Sequence, residues 1–173
     1  MRAKTVGATY LMIGVVLATF IAVLVAVVRA TPAPVVQGKA LIQPVVALVV
    51  LTAIVALLMA VYRNVALIRG AVSARYFRTY TADGPAEWVE RPARAYMNLL
   101  ELPVLFYVAC LLMLTTGRYD SVQVSLAWLF VATRYMHAFI HVGFNHVPLR
   151  FTAFLSGVLT LVVIWTRFAA QNL

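Results

Sequence analysis

Five stretches of the 173-residue chain run for about 20 residues with hardly a charge in them, and this leaves little freedom in what the chain can become. They cover approximately Thr9 to Val28, Pro44 to Ile68, Ala95 to Thr116, Val122 to His141 and Leu149 to Phe168. As helices, each is long enough to cross ~30 Å of hydrocarbon. Composition agrees: 64% of the residues are hydrophobic and only 11% charged, too little charge to cover a water-soluble domain of this size. The expected fold class is therefore an all-α integral membrane protein with five spans. The net charge of +9 would suggest nucleic acid in a soluble protein. Here the basic residues flank apolar runs, and no soluble element carries a basic stripe with interleaved aromatics, so nucleic acid is excluded as a partner. Cys110 is the only cysteine, which rules out an intrachain disulfide and reads as a buried thiol.

Taken in order, Arg2 and Lys4 precede the first run, which is longer than a cleavable signal's apolar core of about 7–15 residues. It reads as an uncleaved anchor, followed by an extended connector from Thr31 to Gly38. Pro44 suits the first turn of the second helix. Arg63, Arg69, Arg75, Arg78, Arg91 and Arg94 then cluster between two apolar runs, with turns marked by Gly70 and by T-A-D-G-P at 81–85. Positive charge stays inside, so the N-terminus and the 69–95 loop are expected in the cytoplasm and, after five spans, the C-terminus outside. Trp88, Trp128 and Trp165 fall near span ends, as an interfacial belt would.

Two of the runs carry polar stripes. From Arg94, Asn98 and Glu101 lie at about 40° and −20° on a helical wheel, one face of the third run. From Arg134, His137, His141 and Asn145 lie at about −60°, −20° and 20°, one face of the fourth. Charge in hydrocarbon costs several kcal/mol, so these faces must meet other helices or a polar cavity. Arg134 is the expected partner of Glu101. His137, His141 and His146 lie on one short stretch, and no cysteine or histidine on a second helix completes a site, so no metal is expected.

The order R-x-x-x-N-x-x-E-x-P at Arg94, Asn98, Glu101 and Pro103, with Arg134, His137 and Arg150 downstream, resembles the family of membrane-associated proteins in eicosanoid and glutathione metabolism (MAPEG), and its bacterial branch in particular. The likeness covers roughly residues 40 to 168. It implies a four-helix unit over 39–173, with residues 1–38 an additional transmembrane helix and connector. It also implies a homotrimer in a bacterial inner membrane, with glutathione as co-substrate in a pocket between subunits. On this resemblance Arg94, Asn98 and Glu101 bind the tripeptide with Arg134, His137 and His141, and Arg150 stabilises its thiolate. The implied activity is that of a glutathione transferase or peroxidase acting on a small lipophilic substrate. Where glutathione-dependent members have tyrosines, this chain has Leu102 after the Glu and His141 seven residues after Arg134. The competing reading is a non-catalytic scaffold or accessory subunit, its polar stripes serving packing and its first helix contacting another membrane protein. An open cleft lined by Arg94 and Arg150 favours the enzyme, and a closed Glu101–Arg134 pair favours the scaffold.

Overall fold

The computed structural model describes residues 2–33, 38–79 and 86–173, with side chains from residue 7 onward apart from that of residue 79. Among these residues the helices are α1 (Arg2–Arg29), α2 (Lys39–Ile68), α3 (Ala74–Thr79), α4 (Glu87–Thr116), α5 (Ser121–Val142) and α6 (Val147–Asn172). The five apolar runs correspond to the five long helices, most of which start earlier than hydropathy alone places them. Helix α4 begins at Glu87 rather than Ala95, because Glu87 and Glu90 in its first turn suit the positive end of the helix dipole. Helix α2 begins at Lys39, so Pro44 lies inside it rather than in its first turn. The turn expected at 81–85 and residues 34–37 of the connector lie outside the described residues.

Among the described residues α1, α2, α4 and α6 are long and apolar enough to cross a membrane. Helix α5, at 22 residues, is less apolar than these four. The cause is its polar set, Gln123, Arg134, His137 and His141, all buried. Packed against α6, α2, α4 and α1, α5 sits at the centre of the bundle and turns that set away from the surroundings.

In lipid the hydrophobic effect does not drive helices together, so close packing and interhelical hydrogen bonds must. Phe106 of α4 stacks on Phe130 of α5 with centroids 4.7 Å apart, among Leu48, Met113, Leu126 and Ile164. Between α5 and α6 the bond is polar. Arg134, 1% exposed, donates from Nη2 to the carbonyls of Ala153 (3.1 Å) and Phe154 (3.0 Å). Its guanidinium lies between the rings of Phe130 and Phe154, 5.4 Å from each centroid. Gly157 permits this approach, since a methyl there would collide with Nη2, Cζ and Nε.

At the far end of the bundle Asp120 caps α5, accepting from the Gln123 N–H at 3.0 Å, and pairs with Arg167 of α6 at 2.6 Å. Gln171 donates to the same carboxylate at 3.2 Å. Burial pushes the Asp120 carboxyl up, but the bonds from Arg167 and the Gln123 N–H, with the charge of Arg167, outweigh it and hold the group below its ordinary value. Ser121 ties the end of the α1 connector to this corner through reciprocal bonds with Ala33, both 3.0 Å. Helix α1 packs on α6 and α5 and buries little of itself, Leu24 above all.

Candidate functional site

The opposite end of the bundle is open. Helix α4 starts here, α5 ends, α6 begins and α2 finishes, so residues near four helix ends converge. A cleft of about 560 Å³ is lined by Arg63 of α2, by Glu90, Arg94, Met97 and Asn98 of α4, by His141 of α5 and by Arg150 of α6. A second space of about 270 Å³ shares Asn98, His141 and Arg150 and continues past His137 to Val147, Phe151 and Phe154. One side is cationic and the other largely apolar.

Geometry follows the helical repeat. Glu90, Arg94 and Asn98 stand at successive intervals of four on α4 and face the cleft together. Asn98 turns its amide back to the Arg94 carbonyl at 2.9 Å. Among the described residues Arg94 has no ion pair, and its charge acts on the Glu87 carboxylate from a distance. Arg63 lies over the Phe77 ring at 5.2 Å, which holds its stem at the α2 end. His137 meets His141 edge-on at 5.6 Å, and the His141 Nδ1 is buried without a partner. Among the described residues no group of three His, Cys, Asp or Glu side chains is placed to hold a metal.

The sequence-derived residues thus separate into three sets. Arg94, Asn98, His141 and Arg150 come together around the cleft, and His137 joins through the inner space. Arg134 does not line it: its Nη2 is bonded to the α6 backbone, and its Nε and Nη1 are buried without a partner. Glu101 is exposed on the outer face of α4 and, among the described residues, forms no ion pair. The expected Glu101–Arg134 pair is therefore absent from this chain. The reason is direction: Arg134 points between α5 and α6, whereas Glu101 points out of the bundle.

The sequence places Asn145 on the stripe of the fourth run and Arg63 among the clustered arginines without giving either a role at the cleft, and it passes over Glu90 and Glu87. Extending the α4 stripe back by one turn from Arg94 would have found Glu90, whose wheel position is about −40°. The Glu87–Asn145 contact had no such signal, because it joins helix ends that only the tertiary fold brings together. Asn145 Nδ2 donates to Glu87 Oε1 at 2.7 Å.

The model of the MAPEG family matches residues 41–170, which include every residue of the cleft, while α1 precedes the match. No curated protein and no solved structure matches the chain. The match takes in α4, α5 and nearly all of α2 and α6, the helices that build the cleft, and four of the long helices are fit to cross a membrane. The chain is an all-α integral membrane protein and belongs to the MAPEG family.

Proposed function

We propose that the protein is a glutathione-dependent transferase or peroxidase that takes lipophilic electrophiles from the bilayer. The observation that carries this reading is the convergence of Arg94, Arg63 and Arg150 with one carboxylate, Glu90, and one amide, Asn98, on a single cleft. Glutathione has two carboxylates, an amine and a thiol. Arginines suit the carboxylates, and Glu90 suits the amine. Family resemblance gives Arg150 the thiolate: a thiol of pKa about 8.5 is mostly protonated at neutral pH, and an adjacent cation shifts it to the nucleophilic form. The apolar lining at Val147, Phe151 and Phe154 suits the electrophile. His141 supplies a ring nitrogen where the glutathione-dependent members have a tyrosine.

In this reading the active assembly is a homotrimer, and its support is Glu101. A carboxylate on the outer face of a membrane helix costs several kcal/mol unless it gains a partner, and a neighbouring copy supplies one. Glu101 then joins the tripeptide site from the subunit boundary, while Arg134 fixes the register of α5 against α6. The arginine-rich cleft end faces the cytoplasm of a bacterial inner membrane. Residues 1–38 are an addition to the four-helix unit of 39–173, and α1 offers its open surface to lipid or to another membrane protein.

The test is turnover of glutathione with a panel of lipophilic electrophiles by protein reconstituted in liposomes. Wild-type conjugation or peroxide reduction that falls at least about tenfold in Arg150→Ala supports the reading. Equal rates in the two proteins, at the uncatalysed level, would remove the enzyme and leave the assembly role.

A further inference from the structure

Arg150 is held by a short chain of side chains that runs from the start of α4 to the turn between α5 and α6. Asn145 sits in that turn with φ 49°, the one non-glycine residue with a positive φ among those described. Asparagine adopts this left-handed conformation more readily than most residues. The turn is fixed by the Gly143 N–H on the Phe139 carbonyl (3.0 Å) and the Asn145 N–H on the Ile140 carbonyl (2.8 Å). Its amide lies between two charged groups: Oδ1 accepts from Arg150 Nη1 at 2.6 Å, and Nδ2 donates to Glu87 Oε1 at 2.7 Å. The amide has only one workable orientation, since a guanidinium only donates and a carboxylate only accepts. Arg91 completes the ring, pairing with Glu87 at 3.1 Å and donating to the Gly143 carbonyl at 2.9 Å.

We propose that Asn145 and Glu87 are positioning residues that hold the Arg150 guanidinium at the cleft, orienting the cation without neutralising it. A carboxylate in direct contact would cancel the charge that an anionic ligand needs. A neutral amide does not, and the carboxylate that anchors it stands one residue further away. Arg150 uses one donor on Asn145 and leaves the rest of its fork to the cleft. The functional consequence rests on the thiolate role proposed for Arg150, but the clamp can be tested without it.

The first readout is the rate at which an arginine-selective dicarbonyl reagent modifies Arg150 in the detergent-purified, ligand-free protein, followed by peptide mass spectrometry with Arg167 as internal reference. Asn145→Gly keeps the left-handed backbone and removes the amide. With the guanidinium released among its staggered rotamers, modification should rise about three- to tenfold in Asn145→Gly and in Glu87→Ala. The paired change Asn145→Asp with Glu87→Gln reverses the amide and carboxylate, and should return the rate towards wild type while placing a negative charge beside Arg150. The second readout is thiolate absorbance of added glutathione, which should fall in Asn145→Gly and fall again in the paired variant despite its restored protection. An unchanged Arg150 rate in both Asn145→Gly and Glu87→Ala overturns the clamp. Faster modification in these variants with no glutathione bound by wild type upholds the clamp and removes the glutathione reading instead.

Discussion

The two ends of the α5–α6 pair are both polar and both built on an arginine of α6, yet they are arranged oppositely. At one end Arg167 meets a carboxylate at 2.6 Å, and Gln171 completes the shell around Asp120. At the other Arg150 meets a neutral amide at 2.6 Å, and Arg94 stands four helical positions from Glu90 without an ion pair among the described residues. The first arrangement satisfies its charges and holds helices together. The second leaves positive charge facing an open cleft, which is a poor way to stabilise a bundle and a good way to receive an anion. Between them Arg134 and Gly157 fix the register on which both ends depend.

Substitutions can break this comparison in order of size. Gly157→Ala should have the largest effect on stability, as much as about 3 kcal/mol by overpacking, because the Arg134 guanidinium cannot yield without leaving two carbonyls and two rings. Thermal unfolding in detergent measures it, and a wild-type midpoint would show that the register does not depend on this contact. Next in size, Arg94→Ala or Arg150→Ala should weaken glutathione binding about 10- to 100-fold, the worth of a charged hydrogen bond, while the unfolding midpoint barely moves. Asp120→Ala should reverse that pattern, costing about 1 kcal/mol through the lost α5 cap with binding unchanged. A further cost from the lost Arg167 pair is small, since the site is partly solvated.

The smallest effect is in pH. The folded Asp120 carboxyl sits below its ordinary value of 3.8, so its contribution is present in full above about pH 4 and is lost as pH falls through the lowered folded value. Wild type should therefore lose more stability than Arg167→Met between pH 5 and 3 (about one carboxylate's titration range). Parallel curves would mean that the pair does not hold the carboxyl down.

Much of this was legible in the sequence, for identifiable reasons. Long apolar runs located the five long helices because a span in hydrocarbon has little alternative to helix. The stripe rule brought Arg94 and Asn98 to one face, and it put His137, His141 and Asn145 on another. The same rule failed for Glu101 and Arg134, since a wheel gives the face of one helix and not which neighbour it meets. It failed again for Pro44, where a first-turn preference was taken for a helix start. The Glu87–Asn145 contact joins positions 58 residues apart through a turn whose conformation is not encoded in periodicity.

On the proposed function the cleft arginines serve a ligand, whereas Arg167 serves the fold. Calorimetry of glutathione binding to the detergent-purified protein, with Arg94→Ala, Arg150→Ala and Arg167→Ala side by side, tests that most directly. Equal binding by wild type and Arg167→Ala, with the other two weaker by about 10- to 100-fold, is the predicted result. No binding by wild type at millimolar glutathione, or equal binding by all four, would contradict it.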